Sequence, residues 1–265
     1  TGLYAQLETR IDQPFGLPGE VLLIPGVRYD SFESSSDSSG STQSTEEFSP
    51  RFATSYGPVE WFRVFASYSE GLRAPSVNEL YLDGTHFSVP HPVLFNPAGG
   101  SFVFVSNNFV PNANLLPETS ETVEFGFGVD FHDLLTNGDR LQGKVSRYES
   151  DVEDLINLSV DFAYDPTCFT EPTFFPCTAG TTYSDNVDAA EISGVEMEAS
   201  YEIGGYFARL SYSSIEGTDL TTGADLGTLS PDRLALNAGY SFEDRDLRVG
   251  TRVQYADDFE QRDGA

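Results

Sequence analysis

Positive charge is scarce in this 265-residue chain, where 14 Lys and Arg stand against 42 Asp and Glu for a formal net charge of −28. Proteins that grip nucleic acid neutralise phosphates with a basic surface, so that function class is excluded. Long apolar runs are missing too. No stretch approaches the ~18–20 uninterrupted apolar residues of a transmembrane helix, and mean hydropathy is −0.27. No charged, apolar and small-residue succession of the secretory type opens the chain, and Thr1-Gly2-Leu3-Tyr4 reads like the middle of a strand in something longer. Cysteine is limited to two residues. Aromatics, by contrast, are plentiful. With 21 Phe, 13 Tyr and 39% hydrophobic residues, the chain is far too apolar for an acidic disordered segment.

Length alone allows one sandwich or barrel domain or two small ones, so periodicity has to decide. Its dominant signal is alternation with period 2. Val123, Phe125, Phe127, Val129 and Phe131 interleave with Glu124, Gly126, Gly128 and Asp130, which gives one apolar face and one polar or small face. The same pattern runs through Phe62 to Ser69, Val195 to Tyr201, Tyr206 to Ser213, Arg233 to Phe242 and Leu247 to Tyr255. Weaker strands lie at residues 2–9, 21–30, 48–57 and 140–153, for about ten in all. No window has a convincing helical period.

Short connections alternate with long ones. Gly57 to Glu60, residues 132–139, Gly204-Gly205 and Glu243 to Asp246 are short, whereas residues 31–47, 72–118, 154–185 and 214–230 are long. Such an alternation is the pattern of an outer-membrane β-barrel, with its apolar face on lipid and its polar face on the lumen. A soluble β-sandwich alternates as well. Its strands average about 5–6 residues, however, whereas several here sustain alternation for the ~9–11 residues of a tilted membrane strand. Strand Arg and Glu on the polar face suit a wet, salt-bridged lumen, and a solvated sandwich face could carry them too.

Few segments carry chemistry. The Ser-rich acidic stretch from Ser31 to Glu47 reads as a mobile exposed loop. Cys168 and Cys177 lie close together in one long loop, which favours a disulfide over a zinc pair lacking a nearby His. His132 starts a short turn. His86 and His91 share the longest loop, where an imidazole is either merely solvated or an axial ligand to haem iron, and spacing does not separate the two. There is no Gly-x-Ser-x-Gly elbow and no phosphate-cradling loop, so no enzyme and no catalytic cofactor is expected.

The stretch Tyr68-Ser69-Glu70-Gly71-Leu72-Arg73-Ala74-Pro75-Ser76-Val77-Asn78-Glu79-Leu80-Tyr81 resembles TonB-dependent outer-membrane receptors. So do Pro25 to Asp30, Phe48 to Arg51, Asn114 to Glu121 and Ile192 to Glu196. Within that family, haem and haemoprotein receptors carry a Phe/Tyr-Arg-Ala-Pro box, a downstream Asn-Pro-Asn-Leu box and a haem-ligating histidine between them. The corresponding boxes here are Leu72-Arg73-Ala74-Pro75 and Asn112-Ala113-Asn114-Leu115, each with one departure, and His86 lies between them. The resemblance implies an all-β transmembrane antiparallel barrel fragment spanning 1–265, with short periplasmic turns and long extracellular loops. Full barrels of this type have roughly 22 strands, so the plug domain and the remaining strands are expected outside this sequence.

The implied function is active import of haem or haemoprotein-derived iron across the bacterial outer membrane. Haem is the transported ligand, outer-membrane lipid surrounds the barrel, and the TonB energy-coupling complex acts through the plug. Candidate ligand-binding residues are His86, as the iron ligand, His91 in reserve, Arg73 and Tyr81. A second axial ligand would come from the plug. The boxes also have a purely structural reading, in which they position the long loop. Rival functions are a TonB-dependent receptor for a ferric siderophore or other chelate, and a non-transporting surface-binding barrel.

Overall fold

The computed structural model describes residues 1–36, 40–96, 99–164, 178–226 and 229–258. Alternation gives strands wherever it was expected, and the thirteen strands among the described residues belong to one sheet. The first wall position is shared by β1 (Gly2–Gln6) and β2 (Thr9–Asp12), both paired with β3 (Glu20–Ser36). The wall continues in sequence order through β4 (Ser41–Val59) and β5 (Phe62–Arg73), then, after a long insertion, β8 (Glu118–His132) and β9 (Asp139–Asp161). It ends with β10 (Thr178–Ile203), β11 (Tyr206–Asp219), β12 (Arg233–Phe242) and β13 (Leu247–Ala256). Every neighbouring pair along this path is antiparallel. The insertion holds α1 (Val77–Tyr81) and a hairpin of β6 (Gly84–Asn96) and β7 (Ser101–Phe109).

Register assigns the faces. Phe62, Val64, Ala66 and Tyr68 pair with Val129, Phe127, Phe125 and Val123, so the apolar sets of β5 and β8 share one side. Across the sheet that side is exposed. Val123, Phe125, Val249 and Val253 each show half or more of their surface. A sandwich would cover this face with a second sheet; none exists among the described residues, and hydrocarbon is the solvent that tolerates it. At the short-turn end, Trp61 stacks on Phe131 at 5.0 Å, and Tyr240 meets both Tyr206 and Phe242 at 4.6 Å. These are the amphipathic rings of an interfacial girdle.

The opposite face is wet. Arg140 pairs with Asp130 at 2.6 Å, Arg63 with Glu20 at 3.2 Å and Lys144 with Glu124 at 3.5 Å; Asp130, Arg63 and Lys144 line an open trough of about 900 Å³ together with Arg209 and Arg252. Strand glycines on this face receive aromatic rings from nearby strands. Phe65 lies over Gly126, Tyr148 over Gly194, and Phe207 over Gly239 and Gly250. A cation caps two of these rings, Lys144 at 4.9 Å from Phe65 and Arg248 at 3.8 Å from Phe207.

Two expectations need correction at the long-loop end. Ser31–Ser36 and Ser41–Glu47 are strand rather than mobile loop, because the β3–β4 ladder continues from Ser31↔Glu46 to Ser36↔Ser41. A Ser/Thr-rich stretch lacks an apolar face, but it retains backbone pairing and β-tolerant Thr, so a ladder nucleated in the membrane zips on into water. Nor is residues 72–118 structureless, as α1 and the β6–β7 hairpin show. The Cys168 and Cys177 pairing lies outside the described residues. His132 ends β8 with an exposed side chain, as a turn-edge residue should.

Candidate functional site

β5 ends at Arg73, and Pro75, which has no N–H to give a ladder, helps turn the chain into α1. The Ser76 hydroxyl accepts from the Glu79 N–H at 3.3 Å while the Glu79 carboxylate accepts from the Ser76 N–H at 2.7 Å. This reciprocal cap makes a single helical turn viable in a stretch too short to hold itself. Arg73 then clasps the turn to the wall. Its Nη1 donates to both Glu79 carboxylate oxygens at 3.0 Å, and its Nε and Nη2 donate to Glu118 at 2.5 Å. Glu118 also accepts from the Ile156 N–H at 2.7 Å. Burial alone would raise the Glu79 pKa, but hydrogen bonds from Ser76 and Arg73 outweigh it and hold the carboxyl below its ordinary value.

The second box ties down the other end of the insertion. Asn112 donates to the Ser184 carbonyl at 3.0 Å and accepts from the Asn114 N–H at 3.2 Å. Leu115 is fully buried, as is Leu80 of α1, and Gln43 donates to the Leu115 carbonyl. Asn186 holds Leu116 from both sides, accepting from its N–H at 2.9 Å and donating to its carbonyl at 3.0 Å. Thus Arg73 of the first box is tied to Glu118, three residues beyond the second, and both boxes are held in place by contacts to the wall. With its guanidinium held by two carboxylates, Arg73 is a positioning residue in this arrangement. Tyr81 is likewise engaged, its hydroxyl donating to the Ser34 carbonyl at 3.3 Å.

Between these anchors the β6–β7 hairpin carries the histidines. Its β7 strand runs parallel to β10, pairing Ser106 with Thr178, Asn108 with Thr181 and Phe109 with Thr182. His86 is exposed, yet its ring is fixed: Nδ1 lies 2.9 Å from the Thr182 hydroxyl, and Phe109 and Phe87 flank the imidazole at 4.5 and 5.0 Å. Phe87 stacks on Phe162 at 6.0 Å, and Phe162 is itself half exposed. His91 faces elsewhere. It is fully buried, with the Tyr164 ring at 4.7 Å, so it is not presented to solvent in this arrangement.

Among the described residues no cluster of three or more His, Cys, Asp or Glu side chains could hold a bare metal ion. One exposed imidazole set beside Phe109, Phe87 and Phe162 suits a metal that brings its own equatorial ligands in a flat apolar macrocycle, because such a group needs an axial nitrogen and aromatic contact surface. Sequence reasoning missed Thr182, Asn107, Phe109 and Phe162. Thr182 reaches His86 across 96 residues, and a local pattern carries no trace of that pairing. The Ser76–Glu79 cap was missed as well, although its Ser-x-x-Glu spacing is a local capping signature.

The family description "TonB dependent receptor-like, beta-barrel" matches residues 1–265. A Hemin receptor of Yersinia enterocolitica is 33% identical over 246 residues, which are 87% of this chain and 34% of that protein. The Heme/hemopexin utilization protein C of Haemophilus influenzae strain 86-028NP is 27% identical, over 89% of this chain and 31% of that protein. This chain therefore spans about a third of the length of these curated relatives. Among solved structures, the Serratia marcescens hemophore receptor HasR, a double mutant in complex with its hemophore HasA and heme, superposes with a TM-score of 0.64 at 22% identity. That match covers 96% of this chain and 43% of the other, and it bears on the fold.

Proposed function

This chain belongs to the TonB-dependent receptor β-barrel family of the bacterial outer membrane, and from that premise we propose that it forms the wall and part of the ligand-capturing face of a haem importer. The observation that carries the reading is His86, an exposed imidazole held beside Phe87, Phe109 and Phe162 and placed between two anchored boxes. The names of the 27–33% identical relatives support the same substrate class. Haem is cargo here, and the chain contributes no catalysis.

In this proposal the His86 Nε2 offers an axial lone pair to the iron, and the neighbouring phenyl rings take apolar contact from the macrocycle. His91 stays packed against Tyr164 and takes no first contact. Arg73 and Tyr81 hold the loop in place. A plug domain and further strands elsewhere in the protein close the barrel, supply a second axial ligand and couple release to TonB. A haemoprotein is the natural donor at the outer surface.

The test is titration of hemin into the full-length receptor in detergent. A Soret band should develop with the wild type and weaken strongly with His86→Ala. An unchanged band in that variant moves the ligand elsewhere, and no band at all ends the proposal of direct haem capture, leaving a ferric chelate as the alternative cargo.

A further inference from the structure

We infer that Thr182 and Asn107 form a hydrogen-bond relay that fixes the proton of His86 on Nδ1 and so keeps its Nε2 lone pair directed outward for a metal. Read from its buried end, the relay has only one consistent set of donors and acceptors. The Asn107 Nδ2 sits 3.1 Å from the Asp161 carbonyl and 3.1 Å from the Ala179 carbonyl. Both partners only accept, so the amide nitrogen must face them and Oδ1 must face the other way. Oδ1 lies 2.6 Å from the Thr182 hydroxyl and is itself only an acceptor, so the hydroxyl proton is directed to it. A hydroxyl has one proton. At its 2.9 Å contact with His86 Nδ1 the Thr182 oxygen therefore accepts, and Nδ1 carries the hydrogen.

Two facts make this more than an incidental surface contact. Asn107 and Thr182 are both fully buried, so water does not compete for the relay, and a wrong tautomer would oppose two lone pairs. The backbone around them is also fixed, since the Val110 N–H donates to the Thr182 carbonyl at 2.8 Å and Phe109 pairs with Thr182 in the β7–β10 ladder. Nε2 has no partner among the described residues. Metal-ligating histidines characteristically donate their other ring N–H to an oxygen, which orients the ring and raises its basicity. Here the Thr182 hydroxyl is that oxygen.

The inference rests on the haem reading above, and the test keeps the two apart. Full-length receptor carrying Thr182→Val, Thr182→Ser or His86→Ala is titrated with hemin, and the midpoint potential of the bound haem is measured. Valine keeps the shape of threonine and removes the acceptor, so hemin affinity should fall about 10- to 100-fold. The potential should also rise, because an imidazole that donates a hydrogen bond favours ferric iron. Thr182→Ser should restore both values. Loss of hairpin docking alone would weaken binding without the reversal by serine. If His86→Ala abolishes the band while Thr182→Val leaves affinity and potential unchanged, the relay is overturned and the haem site stands. If His86→Ala has no effect, the site reading fails first.

Discussion

Replacing Arg73 with Met should loosen the loop that carries His86 without harming the wall below it. Methionine keeps much of the apolar stem and deletes four charge-assisted contacts, two to Glu118 and two to Glu79. The Glu118 side chain is 12% exposed and the Glu79 side chain 25%, while Arg73 itself is 45% exposed. An exposed pair contributes about 0.2–1 kcal/mol, and breaking a buried one costs about 3–5 kcal/mol. This clasp lies between those limits, so a loss of about 2–3 kcal/mol is expected. At about 1.4 kcal/mol per decade, that is a roughly 30- to 150-fold rise in local opening.

Amide hydrogen exchange on the full-length protein reads this directly. The reporters are the N–H groups of Glu79, Leu80 and Leu82, whose bonds hold α1, and that of Ile156, which donates to Glu118. All four should exchange faster by about that factor, while amides of Val123 to Val129 in the β8 ladder keep their protection. Unchanged exchange at residues 79–82 would refute the view that Arg73 anchors the loop, and equal acceleration in the wall would refute the view that the clasp acts locally.

On the inner face, Gly126→Val should destabilise the barrel by about 1–3 kcal/mol through overpacking. An added Cβ would meet the Val145 carbonyl at 2.3 Å and the Phe65 ring at 2.6 Å. A lowered midpoint for heat-induced loss of the compact band on gels would show it; an unchanged midpoint would mean the ring swings away freely. Acid should open the α1 turn. Because the Glu79 pKa is depressed in the folded state, its contribution is complete above the ordinary carboxylate value and disappears as pH falls through the depressed value. Protease nicking of residues 74–83 should therefore increase on acidification below about pH 4, and Glu79→Gln should show the open behaviour already at neutral pH.

The wall was legible because a membrane strand writes its two environments into alternate residues. Val123 to Phe131 disclosed both faces, and even the inward charges Arg63, Asp130, Arg140 and Lys144 occupy the wet side as their parity required. Above the membrane that code lapses. Ser31–Ser36 and Ser41–Glu47 are almost wholly polar, so their side chains no longer record which backbone groups are paired. The hairpin bearing His86 was hidden for a related reason. Phe102 and Phe104 are exposed and Asn107 is buried, which inverts the usual composition signal, and β7 finds its place against β10 through a parallel contact with a distant segment. The resemblance pointed to Arg73 and His86 together, and their surroundings differ: the Arg73 guanidinium is held by two carboxylates, whereas the His86 Nε2 has no partner among the described residues.

β10 is a single strand of 26 residues from Thr178 to Ile203, clamped by β9 along its length and by β11 below. At about 3.3 Å per residue, it is one continuous beam running from the support under His86 to the periplasmic turn at Gly204. A beam paired on both sides resists bending. The other route to His86 is slender: Leu82, Asp83 and Gly84 link α1 to β6, and Gly84 has φ of +104° with open space where a Cβ would be. The imidazole therefore hangs from one stiff post and one compliant tether. Insertions or substitutions along the tether should be absorbed as slack, whereas a single-residue slip in the post would displace the imidazole's support and the periplasmic turn together.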